Sequence, residues 1–346
     1  MKSCAAVLVA QRRPLELFDV EIPALKLGQV LVRVLTTGIC GSQLGEVDGV
    51  KGPDPYLPHL LGHEGCGEVL EVGEGVKTVQ PGDRVVLHWR KGAGLESVPA
   101  VYQSDRGPMN AGWVTTFQEY TVVSENRVTA IPAIFDPLEA ALLGCAVTTG
   151  FSVVNNDARL AIGESIAIFG AGGIGLAIVQ AAALVAGDPI IVLDQYDNRL
   201  DLAHSLGATH TVNVLRDDPA DEITRIAGPG GVDVAVDNTG NIDVIATASR
   251  LTNSRGRTVL VGVPPQGATA AIGTLPLHFG QRLIGSHGGN SRPDLDIPRY
   301  VRLVQQRRLS LRPLIGQRYP LAGINAALID MRAGTLAGRA LIEIVS

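Results

Sequence analysis

Hydrophobic positions in the first third of the chain recur at the spacing of short β-strands. Every second residue of the 30–35 segment is valine, and apolar stretches of strand length also lie at 62–72 and 83–88. A period of two, interrupted by turn residues, is typical of antiparallel sheets. We therefore predict a mostly antiparallel β domain in this part of the chain.

A different pattern begins near Ala146, where short apolar stretches alternate with segments of helical length. Strands buried on both faces form continuous apolar runs, and helices between them imply parallel strands with right-handed crossovers. The pattern predicts strands at 165–169, 190–193, 232–236 and 258–263 and helices at 174–185, 198–206 and 243–251. This repeated unit predicts a dinucleotide-binding domain.

The last part of the chain is expected to rejoin the first domain. A Gly, Ser, Asn and Pro-rich stretch at 288–293 is followed by a predicted helix at 297–307 and a predicted strand at 340–345. We therefore place one domain at 1–146 and 287–346, and the dinucleotide-binding domain at 147–286. The least patterned segment, 90–110, is predicted to be a long surface or active-site loop.

Composition narrows the possible functions. The 346 residues are 46% hydrophobic and 18% charged, with a net charge of −5 and no run of Lys or Arg. A nucleic-acid partner is not expected without a basic surface. The first ten residues show no membrane span or cleavage pattern, so we expect a cytoplasmic protein without a membrane partner. Four cysteines without Cys-x-x-Cys spacing suggest metal ligands or core residues rather than disulfides.

The strongest single motif is G-x-G-x-x-G between a predicted strand and a predicted helix. Its residues are Gly170, Ala171, Gly172, Gly173, Ile174 and Gly175. In this context the first glycine permits a tight turn, the second lets a pyrophosphate approach the backbone, and the third lets helix and strand pack closely. The phosphates would face the positive N-terminus of the helix.

An acidic residue lies where the ribose of such a cofactor is expected. Asp194 ends the second strand, 19 residues after Gly175 (194 − 175). A carboxylate there accepts hydrogen bonds from ribose hydroxyls and repels a 2′-phosphate, which predicts NAD rather than NADP. Arg199, on the following helix, is either a second contact on the adenosine side or a solvated helix residue.

Several further motifs resemble the zinc-dependent medium-chain alcohol dehydrogenase superfamily, over essentially the whole chain. They are GICGS at 38–42, GHE at 62–64, LLGC at 142–145 and TTG at 148–150. The resemblance implies an α/β fold, with a Rossmann domain and a GroES-like, mostly antiparallel β catalytic domain. It also implies that Cys40, His63 and Cys145 bind the metal, with Glu64 as an inner-sphere or alternate ligand.

The chemistry of these residues agrees with that implication. Two thiolates, one imidazole and an open fourth position make a catalytic zinc site, whereas structural sites are closed by four protein ligands. Cys4 and Cys66 match no ligand position. Many relatives carry four closely spaced cysteines that bind a second zinc, but residues 85–120 contain no cysteine. We therefore expect one catalytic Zn²⁺ per chain and no structural zinc.

Two positions after Cys40 depart from the family pattern. Relatives usually have an Asp three residues on, beside the metal ligands, and often a proton-relaying His two residues further. Here these places hold Gln43 and Gly45. Gln43 can accept a hydrogen bond but brings no charge, and such outer partners affect metal affinity.

The resemblance implies roles for three more residues, and the place of His287 in the chain makes it a fourth candidate. Ser42 would take the alcohol proton, and Thr149 would contact the nicotinamide that receives the hydride. Arg339 resembles the C-terminal arginine that reaches the cofactor pyrophosphate. His287 is a secondary candidate for cofactor contact or proton transfer, with a structural role as the alternative.

These observations together predict a zinc-dependent, NAD(H)-linked alcohol dehydrogenase. Its expected substrate is a small alcohol or carbonyl compound, a polar or polyol-like secondary alcohol, and we expect a homodimer or homotetramer. Three alternatives remain: a zinc-free NAD(P)H enone or quinone reductase, a lyase or epimerase that uses bound NAD transiently, and a non-catalytic binding protein.

Overall fold

The structure, a computed structural model, describes residues 1–344 and divides them into two compact units. Unit 1 comprises residues 1–145 and the C-terminal segment from Arg292, and unit 2 comprises residues 146–291. The boundaries predicted from sequence, after residues 146 and 286, lie within a few residues of these. The second differs because the segment 287–291 contacts residues of unit 2, such as Asn156, which donates to the carbonyl of Gly289 (2.9 Å).

Strands and helices are numbered in chain order over the described residues. The strands are β1 (Lys2–Leu8), β2 (Glu16–Glu21), β3 (Gln29–Gly38), β4 (His59–Leu60), β5 (Glu64–Val72), β6 (Arg84–His88), β7 (Val101–Ser104), β8 (Gly107–Asn110), β9 (Tyr120–Ser124), β10 (Val128–Ile131), β11 (Ile166–Phe169), β12 (Ile190–Asp194), β13 (His210–Asn213), β14 (Val232–Asp237), β15 (Thr252–Leu260), β16 (Arg282–Gly285), β17 (Ile315–Pro320) and β18 (Arg339–Glu343). The helices are α1 (Gly41–Asp48), α2 (Pro137–Leu142), α3 (Ala146–Ser152), α4 (Gly173–Leu184), α5 (Asp197–Ser205), α6 (Pro219–Ala227), α7 (Ile242–Arg250), α8 (Pro293–Gln305) and α9 (Ile324–Ala333).

Unit 1 is built from two sheets that are mostly antiparallel, as predicted. Strands β1, β2, β7, β8 and β4 form a small closed barrel, and the second sheet has the order β10-β6-β5-β3-β18-β17, with β9 also paired to β3. Only β4–β8 and β17–β18 are parallel pairs among the described strands of this unit. The valines at 30, 32 and 34 belong to one buried cluster, which explains why the period of two was visible in the sequence.

The segment 90–110 is more ordered than predicted. Its second half forms the hairpin β7–β8, in which Tyr102 pairs with Met109. Both side chains are buried in the core of the barrel. The prediction of a long surface or active-site loop was therefore wrong for residues 101–110. Two inward-facing side chains are too few to give a visible hydrophobic period.

Unit 2 contains the predicted parallel sheet, with strand order β13-β12-β11-β14-β15-β16. Its central strands are buried on both faces by apolar residues such as Ala167, Ile191 and Ala235. The fold class predicted from the sequence, a Rossmann domain with a GroES-like β domain, is confirmed.

Polar stretches of unit 2 were the hardest to predict. The expected strand at 258–263 is β15, which begins six residues earlier because its polar side chains find partners. The buried guanidinium of Arg257 donates to Glu164 (2.8 Å), and the hydroxyl of Thr252 donates to the carbonyl of Ala248 (2.8 Å). The α6 helix, also missed, begins at an N-cap, Asp218, that accepts from the amide of Ala220 (2.8 Å).

The C-terminal elements of unit 1 differ from the prediction at their ends. The predicted helix at 297–307 is α8, which starts at Pro293 because proline is well tolerated in the first turn. The predicted strand at 340–345 is β18, and Val345 lies outside the described residues. Within the described residues, no helix has both the length and the apolar character needed to cross a membrane.

Candidate active site

Three side chains from three separate segments of unit 1 converge. Cys40 immediately precedes α1, His63 immediately precedes β5, and Cys145 follows α2. Their sulfur and nitrogen ligand atoms all lie within 4.8 Å of one another. The two cysteines are buried and His63 is half-buried. The structure thus brings together the three residues predicted to bind zinc.

Two glycines allow this close approach. Gly62 has a φ of +91°, and a Cβ there would lie 2.4 Å from Thr116 Oγ1. A Cβ on Gly144 would lie 2.2 Å from the carbonyl oxygen of Leu87. Neither position has room for a side chain, so larger residues would displace the segments that carry His63 and Cys145.

The environment of the three residues suits a cation. The hydrogen bond between the two thiols holds the pKa of Cys40 well below its usual range and raises the pKa of Cys145. Burial opposes a charge on His63, but the adjacent Cys40 side chain outweighs it and raises the pKa of the imidazole. His63 Nε2 is buried and has no hydrogen bond in the described part of the chain. Two thiols and an available imidazole nitrogen fit a zinc ion.

Glu64 makes a buried ion pair behind the three residues. Its Oε1 accepts from Arg339 Nε at 2.6 Å and lies 2.5 Å from Nη2. Burial raises the pKa of Glu64, opposed by the charge of Arg339, and the pKa of Arg339 is itself raised by Glu64 against the effect of burial. The sequence did not predict this pair, because the two residues are 275 positions apart. Metal ligation by Glu64 and pyrophosphate binding by Arg339 stay predictions.

Gln43, which stands where the family resemblance predicts an Asp, contacts two of the residues predicted to bind zinc, Cys40 and His63. Its Oε1 accepts from the backbone amide of Cys40 (3.0 Å), and its Nε2 lies 2.7 Å from His63 Nδ1. The side-chain oxygen of Gln43 therefore accepts from the Cys40 backbone, and its side-chain nitrogen faces the His63 imidazole. Ser42 Oγ also lies 3.5 Å from His63 Nδ1. Both side chains stand beside His63 because α1 starts directly after Cys40.

A cleft of about 610 Å³ in unit 1 opens beside these residues. Gln43 and His63 line it together with Glu46, His59 and Trp113. Burial raises the pKa of Glu46, and His59 Nε2 pairs with Asp54 at 2.8 Å. Sequence reasoning missed Glu46, although it lies one helical turn after Gln43 and would have been found by assigning α1.

The glycine-rich loop of unit 2 has the geometry that the motif predicts. It follows β11 directly, Gly170 has a φ of +96°, and α4 begins after Gly172 with no side chain capping its amides. A Cβ on Gly175 would lie 1.9 Å from the carbonyl oxygen of Gly170, whereas one on Gly172 would meet no atom within 4 Å. The loop is therefore tight at Gly175 and open at Gly172, and Gly173 and Ile174 between them are half-buried. An open backbone at this place suits a phosphate site.

Asp194 is fixed against this loop. Its Oδ2 accepts from the backbone amide of Ala171 (2.7 Å) and its Oδ1 from that of Tyr196 (3.0 Å). Arg199 lies 4.0 Å from the same carboxylate and stacks over the Tyr196 ring at 4.6 Å. The structure thus places the predicted ribose-binding carboxylate beside the predicted phosphate-binding loop.

Thr149 and His287, the other cofactor candidates of unit 2, lie in different settings. Thr149 lies in α3 and its buried hydroxyl has no hydrogen bond among the described residues. Such a group is well suited to a ligand. His287 precedes a short 3₁₀ turn, Gly288–Asn290, and its role stays a prediction.

Comparisons with known proteins agree with the fold and the site. Residues 26–133 match the model of the alcohol dehydrogenase GroES-like domain, and residues 173–306 match that of the zinc-binding dehydrogenase family. The chain is 32% identical to an S-(hydroxymethyl)glutathione dehydrogenase of Synechocystis sp., over 96% of this chain and 98% of that protein.

Two solved structures of dehydrogenases are also similar to this chain over almost its whole length. Benzyl alcohol dehydrogenase from Acinetobacter calcoaceticus is 30% identical, with a TM-score of 0.90 and complete coverage of both chains. A zinc-binding dehydrogenase from Sinorhizobium meliloti, bound to NADP, is 26% identical with a TM-score of 0.81 and 99% coverage of both chains.

The fold and the site define a dehydrogenase with a dinucleotide-binding unit and a zinc-binding β unit. The chain belongs to the zinc-dependent medium-chain alcohol dehydrogenase superfamily. It is an alcohol-dehydrogenase-type oxidoreductase whose substrate is a small-molecule alcohol, and the family resemblance predicted from the sequence is confirmed.

Replacing Cys145 with Ser should remove the metal, because a neutral hydroxyl is a far weaker zinc ligand than a thiolate. We expect about one zinc per chain in the unchanged protein and only a small fraction of that in Cys145→Ser, measured by elemental analysis. Cys4→Ser removes a thiol outside the cluster and should keep about one zinc per chain. Zinc retained by Cys145→Ser would contradict the ligand assignment, and two zinc ions per chain would contradict the absence of a structural site.

Proposed function

We propose that this protein is an NAD-dependent alcohol dehydrogenase with one catalytic zinc per chain and a polar, polyol-like secondary alcohol as substrate. The observation that carries the proposal is the group formed by Cys40, His63 and Cys145, which no fourth His, Cys, Asp or Glu joins among the described residues. An open position is the mark of a catalytic rather than a structural zinc site. This argues against the zinc-free reductase, in which such a group would have no purpose.

Ser42 is the residue proposed to handle the proton of the alcohol. A zinc ion bound at the group would polarise the substrate oxygen and lower the pKa of its hydroxyl. Ser42 Oγ, 3.5 Å from His63 Nδ1, lies next to the ligand set and would accept that proton. Gly45 provides no side chain for a further relay, so the proton would pass to water or to another polar group. The hydride would go to the nicotinamide of NAD. We propose that the hydroxyl of Thr149, in unit 2, contacts this nicotinamide.

The preference for NAD rests on Asp194. Its carboxylate is held beside the glycine-rich loop by two backbone amides, and a negative charge there disfavours the 2′-phosphate of NADP. Arg199 stands 4.0 Å away and is therefore already partnered by this carboxylate and the Tyr196 ring. This arrangement supports NAD even though one structural relative is bound to NADP.

The polar cleft supports a substrate with several hydroxyl groups. Glu46, Lys51 and the His59–Asp54 pair offer both donors and acceptors beside the metal-binding residues. Hydroxyl groups lose their hydrogen bonds to water on binding, so a site for a polyol must replace them. We expect such groups on the substrate carbons next to the reacting one.

An exposed apolar edge of unit 2 supports a homo-oligomer, a homodimer or a homotetramer. β16 is the last strand of the parallel sheet, and the segment before it exposes Leu275, Phe279 and Val263, each more than two-thirds accessible. An unpaired strand edge next to apolar side chains is suited to pairing with a second copy. The cytoplasmic location predicted from the sequence stays a prediction.

The purified protein should form NADH when it is given NAD⁺ and a panel of polyols and simple secondary alcohols. We expect turnover in the protein that contains about one zinc per chain and none in Cys145→Ser, measured by the absorbance of NADH. Enone reduction without alcohol oxidation would favour the zinc-free alternative. Product formation without net NADH release would favour the lyase or epimerase, and cofactor binding without any turnover would favour the binding protein.

Removing the charge of Asp194 should weaken the discrimination against NADP⁺. For Asp194→Asn we expect kcat/KM with NADP⁺, relative to that with NAD⁺, to rise about tenfold, which equals about 1.4 kcal/mol. Asp197→Asn, which removes a nearby carboxylate paired with Arg216, is the matched control and should leave the ratio unchanged. An unchanged ratio in Asp194→Asn would contradict the role of Asp194.

A charge on the apolar edge should weaken the oligomer. We expect Phe279→Asp to shift the mass measured by light scattering toward the monomer, because a buried carboxylate without a partner is costly. Ile162→Asp changes another exposed apolar residue of unit 2 and should leave the mass unchanged. An oligomer that is equally stable in both variants would show that the interface lies elsewhere.

A further inference from the structure

A loop of unit 1, residues 89–98, lies along a 3₁₀ turn, Glu125–Arg127. The amide of Leu95 donates to Glu125 Oε2 (2.7 Å), and the amide of Gly92 donates to the carbonyl of Asn126 (2.8 Å). The amide of Asn126 returns a hydrogen bond to the carbonyl of Leu95 (3.2 Å). The 89–98 loop therefore takes its shape from polar contacts with this turn.

Arg127 is the central side chain of this contact. Its side chain is only 5% exposed, and its Nη2 lies 3.0 Å from Glu96 Oε1. Its Nη1 donates to the carbonyl oxygen of Trp89, and its guanidinium carbon lies 5.4 Å from the centre of the Trp113 ring. One buried cation thus holds a carboxylate, a backbone carbonyl and an aromatic face at the same time.

The two tryptophans that Arg127 contacts both border the candidate active site. The Trp89 ring lies 6.5 Å from the His63 ring, centre to centre, at an angle of 59°. Trp113 lines the cleft together with His63 and Gln43, and about half of its surface is exposed. The position of Arg127 therefore affects where Trp113 stands in the cleft wall and where Trp89 stands beside His63.

We infer that Arg127 is a positioning residue for the substrate cleft, which it shapes through Trp89 and Trp113 without touching the substrate. This inference rests on the proposed function of the cleft as the alcohol-binding site. A planar guanidinium has donors in fixed directions and stacks on aromatic rings, whereas an ammonium is a compact point charge. Lysine can keep the pairing with Glu96 but not the three contacts together.

The chain offers a direct readout of this role. Trp89 and Trp113 are its two tryptophans, so the intrinsic tryptophan fluorescence reports the surroundings of these two side chains, one beside His63 and one in the cleft wall. A role confined to folding would change stability but not the exposure of these rings in the folded protein. We therefore combine fluorescence with steady-state kinetics.

The test compares Arg127→Gln and Arg127→Lys with the unchanged holoenzyme. Both variants should shift the tryptophan emission to longer wavelength and increase its quenching by acrylamide. In both, KM for the alcohol should rise about tenfold, equal to about 1.4 kcal/mol, while kcat, KM for NAD⁺ and zinc content stay within about twofold. Unchanged emission and unchanged KM in both variants would overturn the inference, as would full rescue by Lys.

Arg106→Gln is the matched control, because Arg106 also stacks on a ring, that of Phe18, and pairs with a carboxylate, that of Glu16. It should leave the emission and both KM values unchanged. If Arg127→Gln does not fold, Glu96→Gln removes the exposed end of the same network and should give the same shifts in smaller size. An unchanged Glu96→Gln would then overturn the inference.

The fluorescence measurement does not require alcohol turnover, so failure of this inference can be distinguished from failure of the proposed function. If the unchanged protein oxidises no alcohol, the proposed function fails, and the emission and quenching still decide whether Arg127 sets the tryptophans. If alcohols are oxidised but the tryptophans do not respond to Arg127→Gln, only the positioning role fails.

Discussion

The metal-binding side of unit 1 depends on a charged pair that water hardly reaches. The side chains of Glu64 and Arg339 are 0% and 6% exposed, and they bond each other next to His63 and Cys40. Removing one partner from a buried pair costs about 3–5 kcal/mol, because the other charge stays buried without compensation. The pair exists only because β18 pairs with β3, with Leu341 opposite Gly38. The last strand of the described chain therefore supports a region that carries candidate metal ligands.

Unit 2 uses a buried carboxylate in a similar way. Asp194 bonds the amides of Ala171 and Tyr196, which fixes the glycine-rich loop relative to the end of β12. The loop itself has little apolar contact to hold it, and its glycines are free to take other conformations. In both units, one buried acidic side chain forms hydrogen bonds next to a segment where a ligand is expected.

The 89–98 loop shows what hydrophobic patterning leaves undetected. The segment has no periodic apolar face, so the sequence suggested only a surface or active-site loop. In the structure it is organised by Glu125 and Arg127, which satisfy its backbone groups and its carboxylate. Such contacts depend on single polar atoms brought together from different parts of the chain. They leave no periodic signal, and they decide the position of Trp89 and Trp113 beside the cleft.

The sequence by itself determined the two-domain fold, the glycine-rich loop, the acidic residue after the second strand and the three side chains that are predicted to bind zinc. These features are local: strand and helix periods, turn glycines and short motifs are properties of neighbouring residues. The tertiary structure alone decided that Arg339 pairs with Glu64, that the amide nitrogen of Gln43 faces His63, and that Glu46 and His59 share a cleft. Each of these contacts joins residues from different elements, and their geometry is set by how the strands pair and pack, which no local pattern in the chain records.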